Sequence, residues 1–204
     1  PGLPGGDIEP WPRHDAARAR NLFIQAGYCN GKVFTLPFTY RSNVPADRLM
    51  ALTWQAQIQR DLSDCLSLKL DGVESTTVYR QLGEGAFQAV MLDWRGAYPD
   101  PEAYLAPLLS CRESKGFICK RGEAVISGSF WTAPGLESTL LRSDRSRGED
   151  RQRDLERVER MAAEGAAYIP VWLVTPRAWS STALATPEFD GNGQVVLARL
   201  QEVR

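Results

Sequence analysis

From residue 33 to residue 94, short runs of β-forming and apolar residues alternate with stretches of helical periodicity. That alternation limits the available folds more than any other feature. Residues 33–36 (Val-Phe-Thr-Leu) read as a strand set off by the Asn30-Gly31 turn. Pro45 then stands at a helix start, after Ser42 and Asn43 as candidate caps. Ala51, Trp54, Ile58 and Leu62 recur at helical spacing and make one apolar stripe. Residues 65–70 read as a second strand and 76–82 as a short helix stopped by Gly83-Glu84-Gly85. Residues 88–94 read as a third strand, apolar enough to be central. Strand and helix in alternation give α/β, a mixed, largely parallel sheet flanked by helices.

The flanks extend the pattern. The first fourteen residues, rich in Pro and Gly, read as an extended lead-in with no signal peptide of their own, so either something upstream was removed or the chain is an excised part. Asp15 is placed as an N-cap for a helix over residues 16–26 that Gly27 closes. Downstream, Asp100-Pro101 starts a helix to about Leu109, and residues 135–142 form a weak one. Residues 149–163 are heavily charged, yet Leu155, Val158 and Ala162 share a face. Opposite charges four apart on the other side make that a solvated surface. Residues 168–175 read as a fourth, continuous apolar strand and 195–200 as a last one.

With 43% hydrophobic and 24% charged residues among 204, the composition excludes disorder and fibrous repeats. Lys plus Arg number 24 against 25 for Asp plus Glu, so the basic excess of a nucleic-acid binder is missing. No apolar run approaches the roughly 18 to 20 residues that span a bilayer.

Catalytic and metal signatures are nearly missing too. There is one histidine, His14, before the first helix. No Cys-x-x-Cys, nucleophile elbow or phosphate-binding loop occurs. We therefore expect no enzyme, metal or cofactor. The four cysteines (Cys29, Cys65, Cys111, Cys119) admit two readings: buried thiols, or a surface disulfide loop between Cys111 and Cys119 if the compartment is oxidising. The informative stretch is Asp93-Trp94-Arg95-Gly96-Ala97-Tyr98-Pro99-Asp100-Pro101. It puts a Trp, an Arg, a Tyr and acids at the carboxyl end of a buried strand, where open α/β sheets bind ligands. The plainer alternative is that Trp94 and Tyr98 only pack against the next helix.

Several segments, in order from about Asp15 to Trp172, resemble the C-terminal lobe of family 5 extracytoplasmic solute-binding proteins, the peptide- and nickel-binding subunits of ABC importers. Residues 15–28 resemble the family's Ala-Gly-Tyr helix, and Gln55-Ala56-Gln57-Ile58-Gln59-Arg60 the helix before its second lobe strand. Residues 79–94 are similar to its segment ending in Trp. Tyr98-Pro99-Asp100-Pro101 with Tyr104-Leu105 and Tyr168-Ile169-Pro170-Val171-Trp172 match later motifs. The resemblance implies one lobe of a type II periplasmic-binding-protein-like fold spanning residues 1–204, with about 177–204 returning towards a second lobe. It implies a peptide or small solute held between lobes, ABC permease subunits and the missing N-terminal lobe as partners, and a periplasmic or extracytoplasmic location. Implied ligand contacts are Asp93, Trp94, Arg95 and Tyr98, with Tyr40, Arg41 and Asn43 after the first strand. The resemblance also favours a bridge between Cys111 and Cys119. One departure bears on the ligand: Ala97 stands where many peptide-binding members carry an acid that pairs with the peptide's amino group, which argues against recognition of a free amine; Asp93, on the other side of Trp94, is the alternative anchor. The alternative function is a free-standing interaction module, distinguished by a polar rather than apolar face where the other lobe would sit.

Overall fold

The computed structural model describes Trp11 and residues 13–203, so the lead-in expected over residues 1–14 lies largely outside the described residues. Helix α1 (Ala16–Gln25) leads into β1 (Phe34–Arg41), α2 (Pro45–Leu62), β2 (Leu66–Val73), α3 (Ser75–Leu82) and β3 (Ala89–Val90). The three strands form a parallel sheet in the order β2-β1-β3, with Phe34 opposite Leu66 and Phe38 opposite Ala89. The second half holds α4 (Glu102–Leu109), an antiparallel pair β4 (Glu113–Lys115) and β5 (Ile118–Arg121), α5 (Glu123–Ile126), α6 (Leu136–Ser143) and α7 (Gly148–Gly165).

Local signals account for most of these elements. The Asp15 side chain accepts from the Arg18 N–H at 2.8 Å and caps α1, and Gly27 follows that helix at φ +85. The α2 stripe lies on the sheet: Ala51 is fully buried and Trp54 and Ile58 pack against Phe38, Leu68 and Met91. Strand β1 runs five residues past the expected end at Leu36, through Pro37. The Phe34 N–H bonds towards β2 (Cys65 O) and the Thr39 carbonyl towards β3 (Met91 N), so Pro37 faces the β3 side before β3 begins. The missing N–H therefore breaks no ladder bond.

A second core joins α4, α6 and α7 through Leu109, Leu136, Leu140, Val158 and Ala162. Leu155 and Val158 of α7 are buried, while Arg153 pairs with Glu149 and Asp150 on the exposed side. Two disulfides lock the loops, Cys111–Cys119 across the β4–β5 hairpin and Cys29–Cys65 between the α1–β1 loop and the start of β2.

Three expected strands differ. Only Ala89 and Val90 of residues 88–94 pair with β1, because the chain turns away after Met91. Residues 168–175 carry no ladder, since no strand lies beside them, and in place of a strand at 195–200 there is one bridge, Phe189 to Val195, and a 3₁₀ turn at Leu197–Arg199. The sheet is thus parallel throughout its three strands. Among the described residues no helix is long and apolar enough to cross a membrane.

Candidate functional site

Parallel strands bring their carboxyl ends to one edge, and here that edge gathers Arg41, the start of α3 and residues 91–98. Arg41 is the centre. Its guanidinium is buried and donates from Nε to Asp47 Oδ2 (2.7 Å), from Nη2 to Asp47 Oδ1 (3.1 Å) and from Nη1 to the Tyr79 hydroxyl (2.9 Å) and to Asp93 Oδ1. The Tyr79 hydroxyl in turn donates to the same Asp93 oxygen at 2.7 Å. Asp47 comes from the first turn of α2, Tyr79 from α3 and Asp93 from the segment after β3, so one cation ties three elements to the end of the central strand.

The electrostatics follow from this arrangement. Hydrogen bonding to Asp47, against the cost of burial, holds Arg41 more firmly protonated than usual. Burial works against ionisation of Asp93, yet the Tyr79 hydroxyl and the Arg41 guanidinium outweigh it and hold the carboxyl below the ordinary carboxylate range. Burial and the Asp93 carboxylate push the Tyr79 phenol up. Arg41 is shared by two carboxylates, so the cluster carries a net negative charge. Asp93 holds the accessible end of it, with 74% of its side chain exposed.

Two aromatic residues follow Asp93 in the chain. Trp94 and Tyr98 are each about half exposed. The indole N–H of Trp94 donates to the Ala103 carbonyl (3.0 Å) and the Tyr98 hydroxyl to Glu102 Oε2 (2.8 Å), so α4 orients both rings. Asp100 caps α4 by accepting from the Glu102 N–H (2.8 Å). Arg151 of α7 donates to it at 2.8 Å and, despite some burial, holds its carboxyl low. Gly96 is buried, and a Cβ there would lie 2.7 Å from the Tyr104 ring, so close packing requires glycine.

The remaining expected residues are distributed differently. Asn43 accepts from the Ser75 N–H (3.0 Å) and hydroxyl (2.6 Å) and donates to Glu74 (3.2 Å), fastening the β1–α2 loop to the start of α3. Tyr40 is on the opposite face from Arg41 and packs into the α2-side core, its ring over Gly72. Arg95 is exposed. Asp47, Tyr79 and Arg151 were not anticipated: each sits on a helix where a lone polar residue reads as surface. Asn192, from the C-terminal segment, donates to the Ala97 carbonyl at 3.0 Å and closes over the same loop.

A cavity of about 910 Å³ lies elsewhere, on the α2 face of the sheet, bordered by Leu36, Phe38, Trp54, Ile58 and Tyr168. Its lining is mostly apolar, with His14, Asp15, Asp61 and Gln88 also on it, and it does not include Arg41, Tyr79 or Asp93. Among the described residues no group of three His, Cys, Asp or Glu side chains is placed to hold a metal ion.

Comparison with known proteins agrees with this architecture. The model of the bacterial extracellular solute-binding proteins, family 5 Middle, matches residues 1–116. No curated protein matches the chain in sequence. Among solved structures, it resembles the dipeptide-binding protein from Pseudoalteromonas sp. SM9913 in complex with Met-Leu: 22% identity, TM-score 0.71, 96% of this chain and 37% of that one. It also resembles the Escherichia coli murein tripeptide-binding protein MppA at 19% identity and TM-score 0.62, over 78% of this chain and 30% of that one. The pheromone receptor PrgZ superposes over 94% of this chain and 35% of its own, at 12% identity and TM-score 0.70. The chain thus spans about a third of the length of these structures.

Proposed function

We propose a function from one premise: the chain belongs to the bacterial extracellular solute-binding proteins, family 5. It is one lobe of a receptor that captures peptides or similar solutes and delivers them to an ABC importer, acting outside the cytoplasm by binding rather than catalysis. Two disulfides suit an oxidising compartment. The observation that carries the reading is Asp93: ionised, oriented by Arg41 and Tyr79, and still open to solvent at the carboxyl edge of the sheet. A fixed carboxylate with free lone pairs recognises an ammonium or guanidinium group, and the half-exposed rings of Trp94 and Tyr98, close in sequence, offer stacking surface.

In this account Asp93 takes over the amine-anchoring role left open by Ala97. Trp94, Tyr98 and Arg95 flank the ligand, Arg41 positions Asp93, and Asn43 holds the adjoining loop. Ligand enters between this edge and a second lobe, and closure of the lobes completes the site.

The test is an amide-resolved NMR titration of the chain with short peptides, half with free amines and half N-acetylated. The expected result is weak binding with shifts confined to residues 40–43 and 93–98, larger for the free-amine peptides. Silence at those residues with both peptide sets would overturn the reading. The interaction-module alternative calls for a polar face where a second lobe would sit; the exposed apolar side chains of Leu173, Val174 and Trp179 favour the lobe reading over it.

A further inference from the structure

The β4–β5 hairpin is tightly held, yet its apex is apolar and open. The Cys111–Cys119 bridge crosses it, with Cys119 fully buried. The Arg112 N–H donates to the Arg121 carbonyl (2.8 Å), the Cys119 N–H to the Phe130 carbonyl (2.8 Å) and the Thr132 N–H to the Phe117 carbonyl (3.0 Å). Lys115 lies opposite Ile118 across a two-residue turn, and Gly116 supplies the positive φ (+61) that such turns require. A Cβ on Gly116 would meet nothing within 4 Å, so the apex stands clear of the body. Phe117 is 63% exposed there and Ile118 52%. Turn positions are ordinarily filled by glycine and small polar residues, and the bridge and backbone bonds keep these two side chains from folding back under cover.

Charge gathers around that apex. Residues 112–121 hold four cations (Arg112, Lys115, Lys120, Arg121) against one acid (Glu113), in a chain whose net charge is -1. Among the described residues Glu113 pairs with Arg121 (3.6 Å), which leaves Arg112, Lys115 and Lys120 exposed without a carboxylate. Side chains alternate along a strand, so Lys115, its cross-strand neighbour Ile118 and Lys120 share the face that Cys119 does not. Two apolar side chains at a turn are too little for a specific protein interface, which takes about 800 Å² from each partner. They suit a bilayer surface instead. An aromatic ring seats at the level of the lipid headgroups, lysine stems lie along the apolar boundary with their ammonium groups among phosphates, and anionic lipid supplies the countercharge.

We propose that the disulfide-stapled hairpin, residues 112–121, docks on a bilayer surface carrying anionic lipid, with Phe117 and Ile118 seated among the headgroups and Lys115 and Lys120 against the phosphates. The contact is weak and reversible, as one aromatic anchor beside a small basic patch must be. It goes beyond the peptide reading and does not depend on it, since neither Arg41 nor Asp93 belongs to the hairpin.

Co-sedimentation of the 204-residue chain with vesicles tests the proposal, using phosphatidylcholine mixed with phosphatidylglycerol and phosphatidylcholine alone. The chain is expected to bind the phosphatidylglycerol vesicles at low salt, to leave them as salt is raised, and to ignore phosphatidylcholine. Lys115→Ala/Lys120→Ala is expected to weaken binding about 20- to 30-fold, at about fivefold per cation. Phe117→Ser is expected to weaken it about 10-fold through lost apolar burial. All three positions are exposed, so the variants are expected to melt with the wild type and to keep its peptide shifts at residues 93–98. Four results would overturn the proposal. No binding to phosphatidylglycerol vesicles at low salt would mean that the hairpin does not dock on lipid. Equal binding to both vesicles would remove the role of charge. Binding unchanged in both variants would place the contact on another surface. Loss with the lysine pair but not with Phe117→Ser would leave cations alone, the behaviour of a patch for an acidic protein partner. The ligand reading fails separately, through silence of residues 93–98 towards peptides, which leaves vesicle binding unaffected.

Discussion

Arg41 was legible in the sequence as a residue near a strand end, but its use was not. Strand alternation turns Arg41 away from Tyr40 and towards α3, where Tyr79 and Asp93 meet it, and Asp47 reaches it from the first turn of α2. An acid in a first helical turn ordinarily reads as favourable to the helix dipole, so nothing in the sequence marks Asp47 as an ion-pair partner. Removing it leaves a buried guanidinium held only at its outer end. Asp47→Ala is expected to cost about 3 kcal/mol in denaturant unfolding, far more than loss of an exposed pair. The acids also set a pH dependence. Asp93, Asp100 and Asp154 all have folded pKa values below the unfolded carboxylate value. Their stabilisation is therefore complete above about pH 4 and is lost as pH falls through the folded values. Thermal melts are expected to be flat in this respect from about pH 5 to 7 and to fall below about pH 4, less steeply for Asp93→Asn.

Elements with their own periodicity and caps were readable: α1 from Asp15, α2 from its stripe, and α7 from Leu155, Val158 and Ala162 beneath a charged face. Elements that need a neighbour were not. The β1 extension depends on where β3 begins, and residues 168–175 have strand composition without a strand beside them. Cys29–Cys65 is of the second kind, since its partners are 36 residues apart and meet only when the α1–β1 loop lies against the start of β2. By loop entropy that bridge contributes about 4 kcal/mol and Cys111–Cys119, closing a shorter loop, about 2.5 kcal/mol. Unfolding of the Cys29→Ser/Cys65→Ser protein is expected at lower denaturant than that of the Cys111→Ser/Cys119→Ser protein, and equal midpoints would contradict this ranking.

At the scale of the molecule, a three-stranded parallel sheet and a helical cluster carry one charged, aromatic edge and one bare apolar tract. The edge was legible because Trp, Tyr and acids stand together after a strand-forming run. Its internal order was hidden, because it is built from side chains brought in by three other helices. The central claim is that Asp93 is the ligand's anchor, and the peptide titration repeated on Asp93→Asn tests it most directly. Loss of one charge-assisted contact is expected to weaken binding of free-amine peptides about 10- to 100-fold while leaving the acetylated peptides unchanged. Equal affinity of the wild-type and Asp93→Asn chains for free-amine peptides would contradict the account.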